Sequence, residues 1–310
     1  MAEWDLIQFI RNLAGHAAPD WLKVGIGDDA AVVAPPAGRE FVVTTDMLIE
    51  GTHFHPDAPP EQVGHKAVAR CLSDLAAMAA RPLCTVAAVA FGPAGDAEAA
   101  RRISRAIWDA ADRLGAPLVG GDVSSTSGPL NVTVTALGTV GPGGAILRSG
   151  ARPGDAVCVT GRLGGSLRGQ HLTFTPRIAE ALELAERCEV HAMIDVSDGL
   201  STDALHIAEE SGVGLALRAE VIPVSDDAVA ASCHADPPDC PLRHALNDGE
   251  DYELLFCVSE EDAGSVAETG LAGTPVSIIG AVTSERDRFL VLPDGSHEPL
   301  RSGGWEHQTG

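Results

Sequence analysis

The stretch Asp195-Val196-Ser197-Asp198-Gly199-Leu200-Ser201-Thr202-Asp203 places carboxylates between an apolar run, Ala192-Met193-Ile194, and a helical spacing of Leu200, Ala204, Ile207 and Ala208. A strand should end there and a helix begin. Backbone N–H groups point outward at such a helix start and hold anions, while Asp195 and Asp198 can hold a divalent cation that bridges to phosphate. Taken alone, the stretch reads more simply as a helix capped by Asp198 or Ser201. Further acidic positions shift that balance: Asp28, Asp29, Asp46, Asp74 and Asp122 fall at expected turns, at strand ends or beside a helix core. Each singly is an ordinary turn or cap carboxylate. Jointly they match magnesium, which takes one or two carboxylates, keeps water and adds substrate phosphate, so that about three such sites would use up the set. Neighbours in an extended segment face opposite ways, so only one of Asp28 and Asp29 is expected to enter the site. Thr44 and Thr45, just before Asp46, can add hydroxyl or carbonyl oxygens.

The elements that must position these groups fall into two halves. The first opens with an amphipathic helix over residues 3–14, marked by Leu6, Ile10 and Leu13. A glycine-flexed loop, Gly25 to Asp29, then runs into a strand ending at Val33, and Phe41 to Asp46 is a second strand. After Pro59-Pro60, the spacing of Val68, Leu72, Leu75 and Ala79 predicts a helix with Asp74 beside its buried stripe. A strand over Pro82–Phe91 follows. The next helix is capped by Asp96, striped by Ile103, Ile107, Ala110 and Leu114, and stopped by Gly115. Leu118-Val119 leads to Gly120-Gly121-Asp122, and Asn131–Val140 is a strand with Val132, Val134 and Ala136 on one face.

Gly141-Pro142-Gly143-Gly144 breaks the pattern and divides the chain into residues 1–143 and 144–310. Beyond it lie a strand over 156–160, a helix over 177–187, the acidic stretch with its helix, and a strand over 215–221. An irregular segment, 231–241, is rich in Pro and Cys. A central strand over 251–258 and strands over 277–282 and 289–292 complete a sheet. Strict strand–helix alternation is missing, which points to two α+β domains rather than a doubly wound fold.

The 310 residues suffice for two domains with their own cores. The net charge of −23 argues against nucleic acid or an anionic membrane as partner. An anionic substrate would therefore need metal ions to mask the acidic field. The seven cysteines show no C-x-x-C pair and mostly sit in apolar runs. Together with the lack of a signal peptide, they point to buried thiols in a reducing cytoplasm. No apolar run approaches the ~20 residues needed to span a bilayer. A P-loop, a G-x-G-x-x-G opening a helix, and the H-R-D and D-F-G kinase motifs are all missing, so any nucleotide is bound by another route.

The run Gly25-Ile26-Gly27-Asp28-Asp29-Ala30-Ala31-Val32, followed by Thr44-Thr45-Asp46-Met47-Leu48-Ile49-Glu50-Gly51-Thr52-His53-Phe54 and Leu72-Ser73-Asp74-Leu75-Ala76-Ala77-Met78, resembles the thiamine-monophosphate kinase family. Gly120-Gly121-Asp122, Leu147 to Asp155, Ile194 to Leu200 and Gly249-Glu250-Asp251-Tyr252-Glu253-Leu254 continue the match in order along nearly the whole chain. The superfamily also contains aminoimidazole ribonucleotide synthetase and selenophosphate synthetase. The resemblance implies an α+β, two-domain aminoimidazole ribonucleotide synthetase-like fold. In it the N-terminal domain sheets pair into a barrel in a homodimer, the C-terminal domain is an α+β sandwich, and ATP lies in the cleft. It also implies Mg²⁺-assisted, in-line transfer of the ATP γ-phosphoryl group to thiamine monophosphate, giving thiamine diphosphate. By matching position, Asp29, Thr44, Thr45, Asp46, Asp74, Asp122, Asp195 and Asp198 resemble the metal ligands, with Asp122, Asp195 and Asp198 the catalytic ones. Gly121, Arg148 and Ser197 resemble ATP contacts, and His53, Glu250 and Trp305 resemble substrate contacts. Arg148 suits its role because a guanidinium pairs with phosphate oxygens as a fork. Trp305 could stack on an aromatic ring, or equally pack down a C-terminal tail.

Three positions depart from the family pattern. Asp248 stands where a second glycine precedes Gly249-Glu250-Asp251, Leu114 replaces an aromatic residue that would stack on adenine, and the connection from Gly164 to Pro176 is short. These changes fall on the acceptor and adenine sides and leave metal and phosphate positions intact. Two alternatives stand beside the kinase reading: a paralogue acting on another small molecule, and a non-catalytic module that binds nucleotide or metal.

Overall fold

The computed structural model describes residue 9 and residues 21–24, 32–33, 37–93, 97–234 and 240–305. Most of the expected lead-in helix, Asp28, Asp29 and the Asp96 cap lie outside the described residues. The chain forms two compact units, one of residues 1–75, 80–145 and 172–175, the other of residues 76–79, 146–171 and 176–310.

The first unit carries a short antiparallel pair, β1 (Leu22–Val24) with β2 (Val32–Val33), and a four-stranded sheet. The sheet contains β3 (Glu40–Ile49), β4 (Arg81–Phe91), β5 (Leu118–Ser125) and β6 (Asn131–Val140) in the order β3-β6-β4-β5. Helices α1 (Pro60–Ala77) and α2 (Ala97–Arg113) are its other main elements. The alternation expected in β6 is present: Val132, Val134 and Ala136 are 0 % exposed, while Thr133, Thr135 and Leu137 are half-buried. The buried set faces the helices, where Leu75 of α1 lies against Gly138 of β6. Gly115 (φ 75°) ends α2 as expected, its N–H donating to Asp112 O and that of Ala116 to Ala111 O, the paired bonds of a Schellman turn.

Two expectations need correction. Strand β3 runs on to Ile49, pairing with β6 over ten residues, so Asp46 sits inside a strand and not at its end. Gly120-Gly121-Asp122 is likewise inside β5 and not a turn. Glycine at 121 answers to strand spacing, because a Cβ there would lie 2.1 Å from Ala87 O on β4.

The second unit is built on a seven-stranded sheet ordered β13-β12-β9-β11-β7-β10-β8. Its strands are β7 (Ala156–Thr160), β8 (Ala192–Asp195), β9 (Gly214–Arg218), β10 (Leu254–Val258), β11 (Val276–Thr283), β12 (Arg288–Val291) and β13 (His297–Pro299). All pairings are antiparallel except β9 with β12. Helix α3 (Ile178–Arg187) precedes β8, and α4 (Leu200–Ser211) follows it. Helices α5 (Asp226–His234), α6 (Pro241–Asn247) and α7 (Glu260–Thr269) come later. Successive residues of the central strands join opposite cores: Leu255 and Cys257 pack with Leu200, Ala204 and Ile207 of α4, whereas Leu254, Phe256 and Val258 pack with Leu184 of α3 and Val266 of α7. Helices on both faces are why β7 and β10 read as unbroken apolar runs.

The segment 231–241, expected to be irregular, instead enters α5 through His234 and α6 from Pro241. The expected strand over 251–258 begins only at Leu254, because Tyr252 takes a left-handed φ of 53°. Cys71, Cys84, Cys158 and Cys257 are buried free thiols, Cys188 is half-buried, and Cys233 and Cys240 are exposed. Burial pushes Cys84 up to about 11 and Cys158 up to about 12, which holds them as unreactive thiols. Among the described residues no helix is long and apolar enough to cross a membrane.

Phe256 is 0 % exposed at the centre of the second unit's sheet. Replacing it by alanine is expected to cost about 3–5 kcal/mol, read as a lowered urea midpoint.

Candidate active site

Strand β8 delivers Asp195, 2 % exposed, opposite Leu254 of β10. The chain beyond it then lies along residues 250–253: Val196 N–H donates to Glu253 O (2.8 Å), Tyr252 N–H to Val196 O (2.8 Å), and Glu250 N–H to Ser197 O (2.7 Å). Ser197 and Glu250, expected on the nucleotide and acceptor sides, are thereby backbone neighbours. Gly199 (φ 117°, ψ 144°) occupies a conformation open essentially to glycine alone and starts α4 without a side-chain cap.

The simpler reading, in which Asp198 or Ser201 caps this helix, is not what the structure adopts. Ser201 Oγ donates to Asn247 Oδ1 (2.8 Å), and the two amides just before the helix are held from inside it: Asp203 Oδ2 accepts the N–H groups of Asp198 and Gly199, each at 3.1 Å. Asp203 is 1 % exposed. Burial foremost, then the charges of Asp195 and Asp198, push its carboxyl well above the usual range against the pull of those two N–H groups. Asp203 is not among the expected site residues. The signal was its position, one turn into the helix and able to reach back to the orphan amides.

Asp198, Asp203 and His206 each bring one potential ligand atom within 4.8 Å of the others. Two carboxylates and an imidazole gathered at a helix start are a donor set that suits a divalent cation. Arg148 is exposed, and its segment is fixed beside the same strand, because Met193 N–H of β8 donates to Leu147 O (2.9 Å) and Ser211 Oγ donates to Arg148 O (3.3 Å). Trp305 N–H donates to Asp198 O (3.0 Å), and Trp305 is 54 % exposed rather than packed into a core. The second unit thus gathers Asp195, Ser197, Asp198, Glu250 and Trp305 around one loop.

In the first unit the expected residues divide between two faces of the sheet. Thr44 Oγ1 donates to Asp74 Oδ2 of α1 (2.5 Å), and Asp46 Oδ1 lies 3.4 Å from Arg70 Nη2, both on the helix-covered face. Thr45 points the other way, toward Thr135 Oγ1 (3.0 Å). Asp122 joins that open face, in register with Ala88, Thr133 and Met47 across the sheet. His53 Nδ1 accepts Ile49 N–H (3.0 Å), which leaves its proton on Nε2. The fully buried Lys66 donates to His53 O (2.6 Å). Lys66 is a residue that sequence reasoning missed, although its spacing from Val63 and Ala69 on α1 places it on a buried stripe. Asp29 lies outside the described residues.

The departures at Asp248 and in the 164–176 connection are one feature. Asp248 Oδ2 accepts Gly165 N–H (2.9 Å), both of its carboxylate oxygens lie 3.0 Å from His244 Nδ1, and Ser166 Oγ donates to Glu250 O (2.6 Å). The backbone at 248 is right-handed helical (φ −66°, ψ −37°), so nothing there requires glycine.

The model of the AIR synthase related protein N-terminal domain matches residues 27–140, and that of the C-terminal domain matches residues 134–292. Thiamine-monophosphate kinase from Rhodopirellula baltica is 38 % identical over 296 residues, covering 92 % of each chain. This chain belongs to the thiamine-monophosphate kinase family. The crystal structure of thiamine-monophosphate kinase from Stenotrophomonas maltophilia K279a is 32 % identical, with a TM-score of 0.80 over 96 % of this chain and 98 % of that one. The structure of AaThiL complexed with AMPPCP and TMP is 28 % identical, with a TM-score of 0.77 over 99 % of this chain and 97 % of that one. Within the kinase family fold, the loop of Asp195 and Asp198 and the turn of Glu250 are thus joined by backbone bonds, with Asp203 and Ser166 adding side-chain bonds to them.

Asp251, between Glu250 and Tyr252, is 6 % exposed; its Oδ1 accepts Gly164 N–H (2.9 Å), while Oδ2 is buried with no hydrogen-bond partner among the described residues. Burial is the main cause that pushes its carboxyl well above the usual range, with Glu253, Asp248 and Glu250 adding to it. The folded chain therefore keeps a proton that the unfolded chain releases near pH 4, and stability falls as pH rises from about 4 through the raised folded value. Asp251→Asn removes this dependence. Melting temperatures at about pH 5 and about pH 8 should show the wild type gaining on Asp251→Asn toward acid.

Proposed function

We propose that this chain transfers the γ-phosphoryl group of ATP to the phosphate of thiamine monophosphate, releasing thiamine diphosphate and ADP. The observation that carries the reading is the likeness, along 99 % of the chain, to a kinase-family structure holding AMPPCP, an ATP analogue, together with TMP. An oxygen of the acceptor phosphate attacks the γ-phosphorus in line, and the bond from that phosphorus to the β,γ-bridging oxygen breaks, with ADP taking the electron pair. The attacking oxygen is already ionised at neutral pH, so the reaction needs placement of two anions more than a general base.

The residues divide that work. Asp29, Thr44, Thr45, Asp46, Asp74, Asp122, Asp195 and Asp198 are the oxygen donors that would hold Mg²⁺, in more than one site, since Thr44, Asp46 and Asp74 lie on one face of the first unit's sheet and Thr45 and Asp122 on the other. The metal supplies neutralisation of the two polyanions and of the charge gathering on the leaving ADP. Arg148 offers a fork to phosphate oxygens, with Gly121 and Ser197 as further ATP contacts. His53 and Trp305 bind the acceptor, and Glu250 faces its cationic ring with a carboxylate. The N-terminal half, residues 1–143, carries metal and ATP contacts, and residues 144–310 carry ATP and acceptor contacts. Free thiols buried in both units suit a reducing compartment, the cytoplasm.

The bonds linking Asp248, Gly165, Ser166 and Glu250 support the reading that the two departures compensate one another, in favour of the family's acceptor over a different one. ADP release at steady state decides between them. Release that is fast only with thiamine monophosphate supports the kinase; slow release regardless supports a paralogue with another acceptor, and none a non-catalytic module. Asp122→Asn and Asp198→Asn should each abolish transfer with little loss of folded protein by circular dichroism, since each removes charge and no packing.

The homodimer rests on a different feature. Phe41, Val43 and Met47 are 41 %, 61 % and 48 % exposed along one face of β3, an apolar strip that a second copy of the same sheet would cover. Replacing Val43 and Met47 together by lysine should shift the sedimentation coefficient from dimer to monomer.

A further inference from the structure

Residues 302–305 are bonded to the start of α4 at several points. Thr202 Oγ1 accepts Gly304 N–H (3.2 Å) and lies 3.1 Å from Ser302 Oγ. Ser201 Oγ accepts Gly303 N–H (3.4 Å), and Trp305 N–H reaches Asp198 O (3.0 Å). Three successive backbone amides are thus bonded to residues 198–202, and Thr202 itself is buried, 8 % exposed.

The two glycines explain how the tail comes so close. A Cβ at 304 would lie 1.9 Å from Asp198 O and 2.7 Å from Thr202 Oγ1, and one at 303 would lie 2.5 Å from Asn247 Oδ1. Neither glycine has a positive φ. Conformation therefore does not call for glycine here, and contact distance does. Beside them Trp305 carries a large aromatic side chain, half-exposed next to a loop that carries two carboxylates.

We propose that Ser302–Trp305 is a strap. Gly303, Gly304 and Thr202 are its positioning residues, and they hold Trp305 at the Asp198 loop so that acceptor binding and the metal-holding loop share one backbone anchor. This rests on the reading that Trp305 meets the acceptor ring, and it adds that the geometry of Trp305 is set by contacts on α4. Holding a side chain of this size in one orientation costs conformational entropy that the three amide bonds offset.

Gly304→Ala and Thr202→Val test the strap without touching either substrate. Hydrogen exchange at the amides of residues 303–305, measured on the full chain without ligands, should speed up at least tenfold in both variants. The KM for thiamine monophosphate should rise about tenfold while that for ATP stays within about twofold, and melting temperatures should stay near wild type. Trp305→Ala should reproduce the acceptor effect with no change in exchange at residue 303. Unchanged exchange in Gly304→Ala and Thr202→Val would overturn the strap. So would faster exchange with an unchanged KM for thiamine monophosphate, or an equal rise in both KM values. The wild-type assay separates this from the functional reading: no thiamine diphosphate from the wild type sinks the kinase assignment and the acceptor role of the strap together. Normal wild-type turnover with unaltered variants sinks the strap alone.

Discussion

Everything at the candidate site follows from crowding like charges where a helix begins. Asp195, Asp198 and Asp203 lie within a nine-residue stretch, two of them almost wholly enclosed, and such a group repels itself unless donors or cations are near. The backbone supplies part of the compensation. Two amides turn inward onto Asp203, and that arrangement removes the helix cap from the duties of Asp198. The backbone-binding role that many helix-start aspartates perform falls instead to Asp203, one turn further in.

The same economy shapes the surrounding sheet. Residues 196–197 and 250–253 are joined by three backbone hydrogen bonds, and these fix the site loop to β10, whose side chains are buried on both faces. A site built on backbone bonds to a central strand is stiffer than one carried on a surface loop. Left-handed backbone at Glu250 and Tyr252 is the cost of that arrangement, with φ values of 54° and 53°. Strain of this kind persists only where the surroundings enforce it.

Much of the fold could be read before the structure. Strand β6 is announced by strict alternation, α2 by its stripe and its terminal glycine, and β7 and β10 by unbroken apolar runs that require cover on both sides. Other features hide for physical reasons. Asp46 and Asp122 look like turn residues because aspartate and paired glycines usually mark turns, yet here Gly121 serves close strand approach. Helix α7 is missing from the sequence reading although Ser259 accepts the N–H of Asp262 three residues on, a start signal open to inspection. Ser225 does the same for Ala228 at α5. At the site, residue types were legible and their partners were not: no pattern shows that Asp203 reaches backward, that Asp248 binds Gly165, or that Thr45 and Thr44 serve opposite faces. Those depend on tertiary register, which a one-residue shift would invert.

Lys66 bears on composition. Among the 21 basic residues only Lys23 and Lys66 are lysine, so the chain takes nearly all of its positive charge from arginine. At 66, however, the cation is sealed inside α1 and bonded to the carbonyl of His53. A planar guanidinium has five donors to place in such surroundings, whereas a compact ammonium has only three. The exception therefore falls where the side chain is wholly enclosed, and reagents that modify amines will find this one closed to them as long as the unit stays folded.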